Sequence, residues 1–376
     1  MTEGHLDELD QPPIEVTSDE DVFDIDPDQE VITTSYEITS YGADYPVDGL
    51  VKRLGQGDIV VPSFEPTFDD SDEVNGFQRR FVWSRPQMDK FIESLLLGLP
   101  VPGIFLVREK SNRLLVLDGQ QRLKTLQAFY GQLHGGREFK LRQVQPQFQG
   151  KSYPELDEED RRRLDDSIIH ATVLRQDHPA GSQDAVYSIF ERLNTGGSPL
   201  QPQEIRVALY NGPFLRQVAQ LNEDADWRAL YGSKSARFKD HELILRVLAL
   251  FEEPDEYSRP VKTYLNHYLA KNQSRTDVLR ITDLFSEAAE VILAAIGERA
   301  FRPVRAVNAA VLDSIMVGMM RRVESGPVAD KDGARTAYDE LLKNADYLAA
   351  TNSSTAAEDS VADRIRLATE AFAGLD

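Results

Sequence analysis

From Gln203 to the last residue, apolar side chains recur at helical spacing in one segment after another. EIRVALYNG, HELILRVLALF, DLFSEAAEVILAAIG, VRAVNAAVLDSIMVGMMRRVESG and SVADRIRLATEAFAG each carry an apolar stripe with this period. Stripes of that kind are buried against other helices, so the carboxyl-terminal half is expected to be all-helical. The run VLDSIMVGMM reads as core, with an oligomer face, and hence a homo-oligomer, as its alternative use.

The preceding half mixes two periods. VDGLVKRLGQGDIVVPSF gives a short helix and a strand at residues 59–61 stopped by Pro62, and FQRRFVWS has strand composition. QMDKFIESLLLGL has a helical stripe of Met88, Phe91, Ile92, Leu95 and Leu96, closed by Gly98 and barred from continuing by Pro100 and Pro102. GIFLVRE and NRLLVLD form a hairpin across Lys110, Ser111 and Asn112, and LKTLQAFYG is a helix ending at Gly131. Further on, FKLRQV reads as a strand, DEEDRRRLDD as a charged helix, IIHATVLRQ as a strand and AVYSIFERL as an amphipathic helix. The fold class expected is therefore α+β, with a mixed domain over residues 35–200 followed by an all-α domain over 201–376.

Charge separates a third segment. Of the 63 acids and 42 bases, residues 1–76 hold 21 acids against only Lys52 and Arg53, a net of −19. The other 300 residues hold 42 acids against 40 bases, a net of −2. Residues 1–34, acidic and without apolar periodicity, are expected to be a disordered tail that serves solubility or acts as a DNA-mimicking, self-inhibiting arm. The absence of cysteine rules out disulfides, thiolate zinc sites and cysteine nucleophiles. No run is long and apolar enough for a membrane helix and the start lacks a signal-peptide pattern, so no membrane partner and a cytoplasmic location are expected.

Three polar segments carry the chemistry. At LLVLDGQQRLKTL a strand gives way through a glycine to a helix, the arrangement in which unpaired backbone N–H groups face an anion. Gly119 would let a phosphate approach the backbone, and Arg122 can fork two phosphate oxygens. Gln120 or Gln121 can hold a base, a ribose or a water. Asp118 suits a magnesium ligand, a water-activating base or the orienter of Arg122. The same spacing equally fits an N-cap aspartate beside a solvated arginine. The second segment, FERLNTGGSPLQPQEI, sets Asn194, Thr195, Gly196 and Gly197 after an amphipathic helix. The third, FQRRFVWS, offers Gln78, Arg79, Arg80 and Trp83, a mix of basic and aromatic residues suited to phosphate and base contacts.

These segments, in this order, resemble the DGQQR-containing amino-terminal domain of GmrSD-type modification-dependent restriction enzymes, a ParB/sulfiredoxin-like fold. The stretches that carry the resemblance are 77–107, 117–131 and 190–212, and with the helical tail it covers most of residues 47–372. The resemblance implies a bacterial defence protein that binds and hydrolyses a nucleoside triphosphate with Mg2+ and acts on or senses modified DNA. It implies catalytic roles for Asp118, Gln121 and Arg122, with nucleotide contacts from Gly119, Gln120, Gln78, Arg79 and Asn194. Arg80 and Trp83 are DNA-contact candidates, and Asp118 is the candidate metal ligand. Such proteins often carry a histidine-asparagine-histidine nuclease after the helices. None of the six histidines here begins the required ββα pattern, His241 and the Asn266-His267 pair included, so a partner nuclease on another chain is expected. The alternatives are a ParB-like domain that cuts DNA directly and a non-catalytic adaptor that senses DNA or nucleotide.

Overall fold

The computed structural model describes residues 22–23, 37–62, 83–109, 111–178, 184–193 and 201–376. In chain order the strands are β1 (Val22–Phe23), β2 (Glu37–Pro46), β3 (Ile59–Val60), β4 (Ile104–Arg108), β5 (Leu114–Asp118), β6 (Leu133–His134), β7 (Arg137–Glu138), β8 (Ile168–His178) and β9 (Val307–Asn308). The first seven helices are α1 (Val47–Gly55), α2 (Arg85–Leu96), α3 (Gln120–Tyr130), α4 (Glu158–Asp166), α5 (Asp184–Leu193), α6 (Pro202–Leu209) and α7 (Pro213–Leu221). The remainder are α8 (Ala225–Tyr231), α9 (Lys239–Glu252), α10 (Val261–Asn272), α11 (Leu279–Ala295), α12 (Ala309–Val323), α13 (Lys331–Leu341), α14 (Ala345–Asn352) and α15 (Glu358–Phe372). The α+β region followed by a helical region is as the periodicities require. Contacts divide the chain into a sheet unit, Glu30–Gln217 with Lys262–Asp277, and a helical unit, Val218–Val261 with Val278–Asp376, to which β1 belongs.

The sheet unit is organised around a five-stranded mixed sheet of order β2-β8-β4-β5-β3. β2 pairs antiparallel with β8, β8 parallel with β4, β4 antiparallel with β5, and β5 parallel with β3. Apolar residues of β4, β5 and β8, among them Ile104, Leu106, Val116 and Val173, share one core with Met88, Ile92 and Leu96 of α2 and Leu123, Leu126 and Phe129 of α3. All ten are at most 1% exposed, so α3 is anchored through three side chains that have left water, each worth about 1.5–3 kcal/mol. α5 touches both β5 and β8, which brings the helix leading into Asn194 against the strand that ends at Asp118.

Two elements differ from the sequence reading. FKLRQV, residues 139–144, is not a strand. Its backbone finds partners elsewhere: Arg142 N and Gln143 N donate to the buried Asp89 carboxylate (3.0 and 3.2 Å), and Leu141 N donates to Lys151 O (2.9 Å). β2, ten residues long and on the sheet edge, lies within the stretch to which that reading gave no element. FQRRFVWS was read as a strand, but residues 77–82 lie outside the described residues, and Trp83 and Ser84 are not in one.

In the helical unit α12 is buried along nearly its whole length and packs against α9, α11 and α15. It begins at Ala309 rather than near Val304, because Asn308 Oδ1 accepts from Ala310 N and Val311 N (2.9 and 3.1 Å) and so caps the helix there. Its core carboxylate, Asp313, is held by two arginines: Arg364 bonds both oxygens (2.8 and 2.7 Å) and Arg246 Nε pairs with Oδ2 (2.7 Å). No helix among the described residues is long and apolar enough to cross a membrane.

Candidate functional site

β5 ends at Asp118, Gly119 is the N-cap residue of α3, and the helix runs from Gln120. Gly119 has φ +99°, a left-handed conformation that other residues adopt only at a cost. Its surroundings demand glycine as well: a Cβ there would lie 2.4 Å from Ile104 Cγ2 and 3.3 Å from Arg122 Nη2. The glycine therefore serves the close approach of the chain's own β4 and of the arginine. A register shift between Phe105 and Leu106 falls on β4 where Phe105 pairs with Asp118, an irregularity of the kind that re-aims a strand end.

Arg122 joins both strands. Its Nη2 donates to Asp118 Oδ2 (2.7 Å) and to Gly103 O (2.9 Å), just ahead of β4. The side chain of Arg122 is 13% exposed against 41% for Asp118, so the pair has a half-buried cation and a carboxylate open to solvent. Arg122 Nε is buried with no hydrogen-bond partner among the described residues. Leaving such a donor unsatisfied costs about 1–3 kcal/mol. This geometry overturns the N-cap reading of Asp118: the cap residue is Gly119, no side chain among the described residues caps α3, and the arginine is largely withdrawn from solvent. The first turn of α3 also lacks an acidic residue, so its N–H groups face no competing carboxylate from that turn.

Gln121 is partly committed to the fold: its Oε1 accepts from Trp83 N (3.3 Å), tying the entry of α2 to the first turn of α3. Trp83 in turn meets Phe91 edge to face, with centroids 5.5 Å apart. Asp118, Gly119, Gln120, Gln121 and Arg122 thus occupy one strand-to-helix turn, with Trp83 joined to it. Gln78, Arg79, Arg80 and Asn194 lie outside the described residues.

Sequence reasoning passed over Lys124. It shares the helical face of Gln120, one turn on, and burial pushes its ammonium below the usual lysine range. The signal was the unbroken helical spacing of QQRLK, with Lys124 four residues after Gln120. The two histidines weighed above sit on helices: His241 Nδ1 is 3.0 Å from the buried Asp240 carboxylate, and His267 Nε2 is 3.0 Å from Asp184. Among the described residues no three His, Asp or Glu side chains form a group that could hold a metal ion.

Residues 64–211 match the family described as GmrSD restriction endonuclease, N-terminal domain. Over that span the chain is a GmrSD N-terminal domain. A comparison with curated proteins found no match. The GmrSD span takes in the whole DGQQR turn, α2 to α6 and the Asn194 block, and it ends before the helical unit begins.

Proposed function

We propose that this GmrSD-domain protein binds and hydrolyses a nucleoside triphosphate at the DGQQR turn, as the nucleotide-dependent component of a bacterial restriction system acting on DNA. The observation that carries the reading is the acid-free start of α3, without a side-chain cap among the described residues, beside a half-buried arginine whose buried Nε has no partner among them. A polyphosphate would satisfy both deficits. Its oxygens would accept from the N–H groups of Gln120, Gln121 and Arg122, and the guanidinium would balance charge that grows in the transition state.

Asp118 keeps Arg122 in place through one oxygen; among the described residues the other has no hydrogen-bond partner, which suits it to hold the attacking water. Gln121 would orient that water or the ribose, with Gln78, Arg79 and Asn194 as further nucleotide contacts and Arg80 and Trp83 as DNA contacts. Magnesium fits here only as an ion carried by the nucleotide, since Asp118 is the turn's single carboxylate and Mg2+ commonly takes one or two carboxylates plus phosphate oxygens and water. When bound, it would neutralise phosphate charge.

The test is phosphate release from each of the four common nucleoside triphosphates with magnesium, by wild type and by Arg122→Ala, with plasmid cleavage run alongside. The reading expects release by wild type and a loss of about a hundredfold or more in the variant, the scale set by losing one preorganised donor. Equal turnover in both proteins would reject the site. Plasmid cleavage without nucleotide would support direct nuclease action instead.

A further inference from the structure

The helical unit contains a cleft of about 560 Å³, a size within the range of small-molecule sites, and the family match does not reach it. One face of α15 forms its long wall, from Glu358 and Asp359 in the first turn to Thr369 and Glu370 near the end. Asp255 and Tyr257, just after α9, and Arg321 of α12 line it as well. Asp359 and Thr369 are ten residues apart on α15, about 15 Å along its axis.

Three of the six charges lining the cleft are matched within the protein. Arg366 pairs with Asp363 and Glu370 (3.1 Å each), and Glu358 accepts from Arg259 N (3.0 Å) and pairs with its Nε (3.3 Å). Arg321 is different. Among the described residues it makes no ion pair, and its single hydrogen bond runs from Nη1 to a neutral acceptor, Thr369 Oγ1 (3.0 Å). Desolvation pushes this half-buried guanidinium below the usual arginine range, against the pull of the Asp255 charge. Asp255 and Asp359 are exposed and have no hydrogen bond or ion pair among the described residues. Between Asp359 and Thr369 on α15, Val361 and Ile365 line the cleft with apolar surface, joined by Tyr257, whose hydroxyl donates to Ala356 O (2.7 Å).

The cleft thus offers an unmatched guanidinium toward one end of α15 and an unmatched carboxylate at the other. A polyanion would meet four acids against two arginines, a net of −2, and a polyamine would meet a guanidinium already short of water. A ligand with one charge of each sign, joined by a chain that can lie on apolar surface, avoids both penalties. Four extended residues reach about 13–14 Å, close to the separation of the two ends. We propose that the cleft binds a short zwitterionic peptide extended along α15, its terminal carboxylate on the Arg321 fork and its ammonium on Asp359.

Calorimetric titration of the full chain with tetra-alanine tests this, alongside the amidated peptide, which lacks the carboxylate, and the acetylated peptide, which lacks the ammonium. Free tetra-alanine is expected to bind saturably. The amidated form should bind about tenfold or more weakly, the scale of one charge-assisted contact, and the acetylated form about threefold more weakly, the scale of an exposed ion pair. Arg321→Gln should bind the free and amidated peptides alike, and Asp359→Asn the free and acetylated peptides alike. Trp227 fluorescence checks that each variant keeps the helical unit folded, and the comparison of three peptides on wild type needs no variant. No binding of tetra-alanine, or equal binding of either blocked form, overturns the site. An amidation penalty that persists in Arg321→Gln, or an acetylation penalty that persists in Asp359→Asn, overturns the assignment of that end. Inorganic phosphate binding as tightly as tetra-alanine would overturn the choice of a zwitterion.

Discussion

Gly119→Ala is a sharp perturbation of the turn, because two costs of known origin fall on one methyl group. A residue with a side chain held at φ +99° loses about 1–2 kcal/mol to left-handed strain. The added Cβ would also sit 2.4 Å from Ile104 Cγ2 and 3.0 Å from Ile104 Cβ. Ile104 has little room to retreat, being 1% exposed on a strand paired on both sides, so overpacking adds about 1–3 kcal/mol. The expected total is about 2–5 kcal/mol. Urea unfolding followed by tryptophan fluorescence reads it, since the chain has only Trp83 and Trp227, one in each unit. In a Trp227→Phe background the signal reports the sheet unit alone. Repeating the substitution with Ile104→Ala removes the clash and should leave only the backbone share, about 1–2 kcal/mol. A cost below about 1 kcal/mol in the parent, or the same cost in both backgrounds, would refute the reasoning.

Asp313→Ala leaves Arg364 and Arg246 facing each other across an uncompensated gap in the helical core, and should cost about 3–5 kcal/mol by Trp227 fluorescence. A loss under about 1 kcal/mol would mean the pair is not needed there. His267 predicts a pH effect in the sheet unit. The hydrogen bond to Asp184, aided by its charge and opposed by burial, raises the imidazole above its ordinary value. Its stabilisation of the α5–α10 link is therefore complete below about pH 6.5 and is lost as pH rises through the raised folded value. Hydrogen exchange in α5, corrected for intrinsic rates, should quicken over that rise in wild type and stay flat in His267→Gln; equal profiles would contradict the link.

Where elements follow one period, the sequence was enough to read them. The β4–β5 hairpin, the α2 stripe from Met88 to Leu96 and the helix after DGQQR all stand where their spacing puts them. Misreadings occur where a distant group settles the matter. Residues 139–144 look like a strand, yet Asp89, more than fifty residues earlier, takes their N–H groups. β2 was hidden because serine, glycine and aspartate interrupt its alternation, although its pairing with β8 is continuous from Ile38 to Pro46. The turn was legible as strand, glycine and helix. The second acceptor of Arg122, Gly103 O, was not, nor was the reason for Gly119, which is Ile104 fifteen residues upstream.

Calorimetric titration of a nucleoside triphosphate with magnesium into wild type and Arg122→Ala tests the central claim most directly. The core side chains Leu123, Leu126 and Phe129 remain to hold α3 in the variant, so a change in heat can be assigned to the turn. Saturable binding to wild type that weakens about tenfold or more in Arg122→Ala, on the scale of one charge-assisted contact, is the predicted result. Equal affinity for both proteins, or no binding to wild type by any of the four nucleotides, would contradict it.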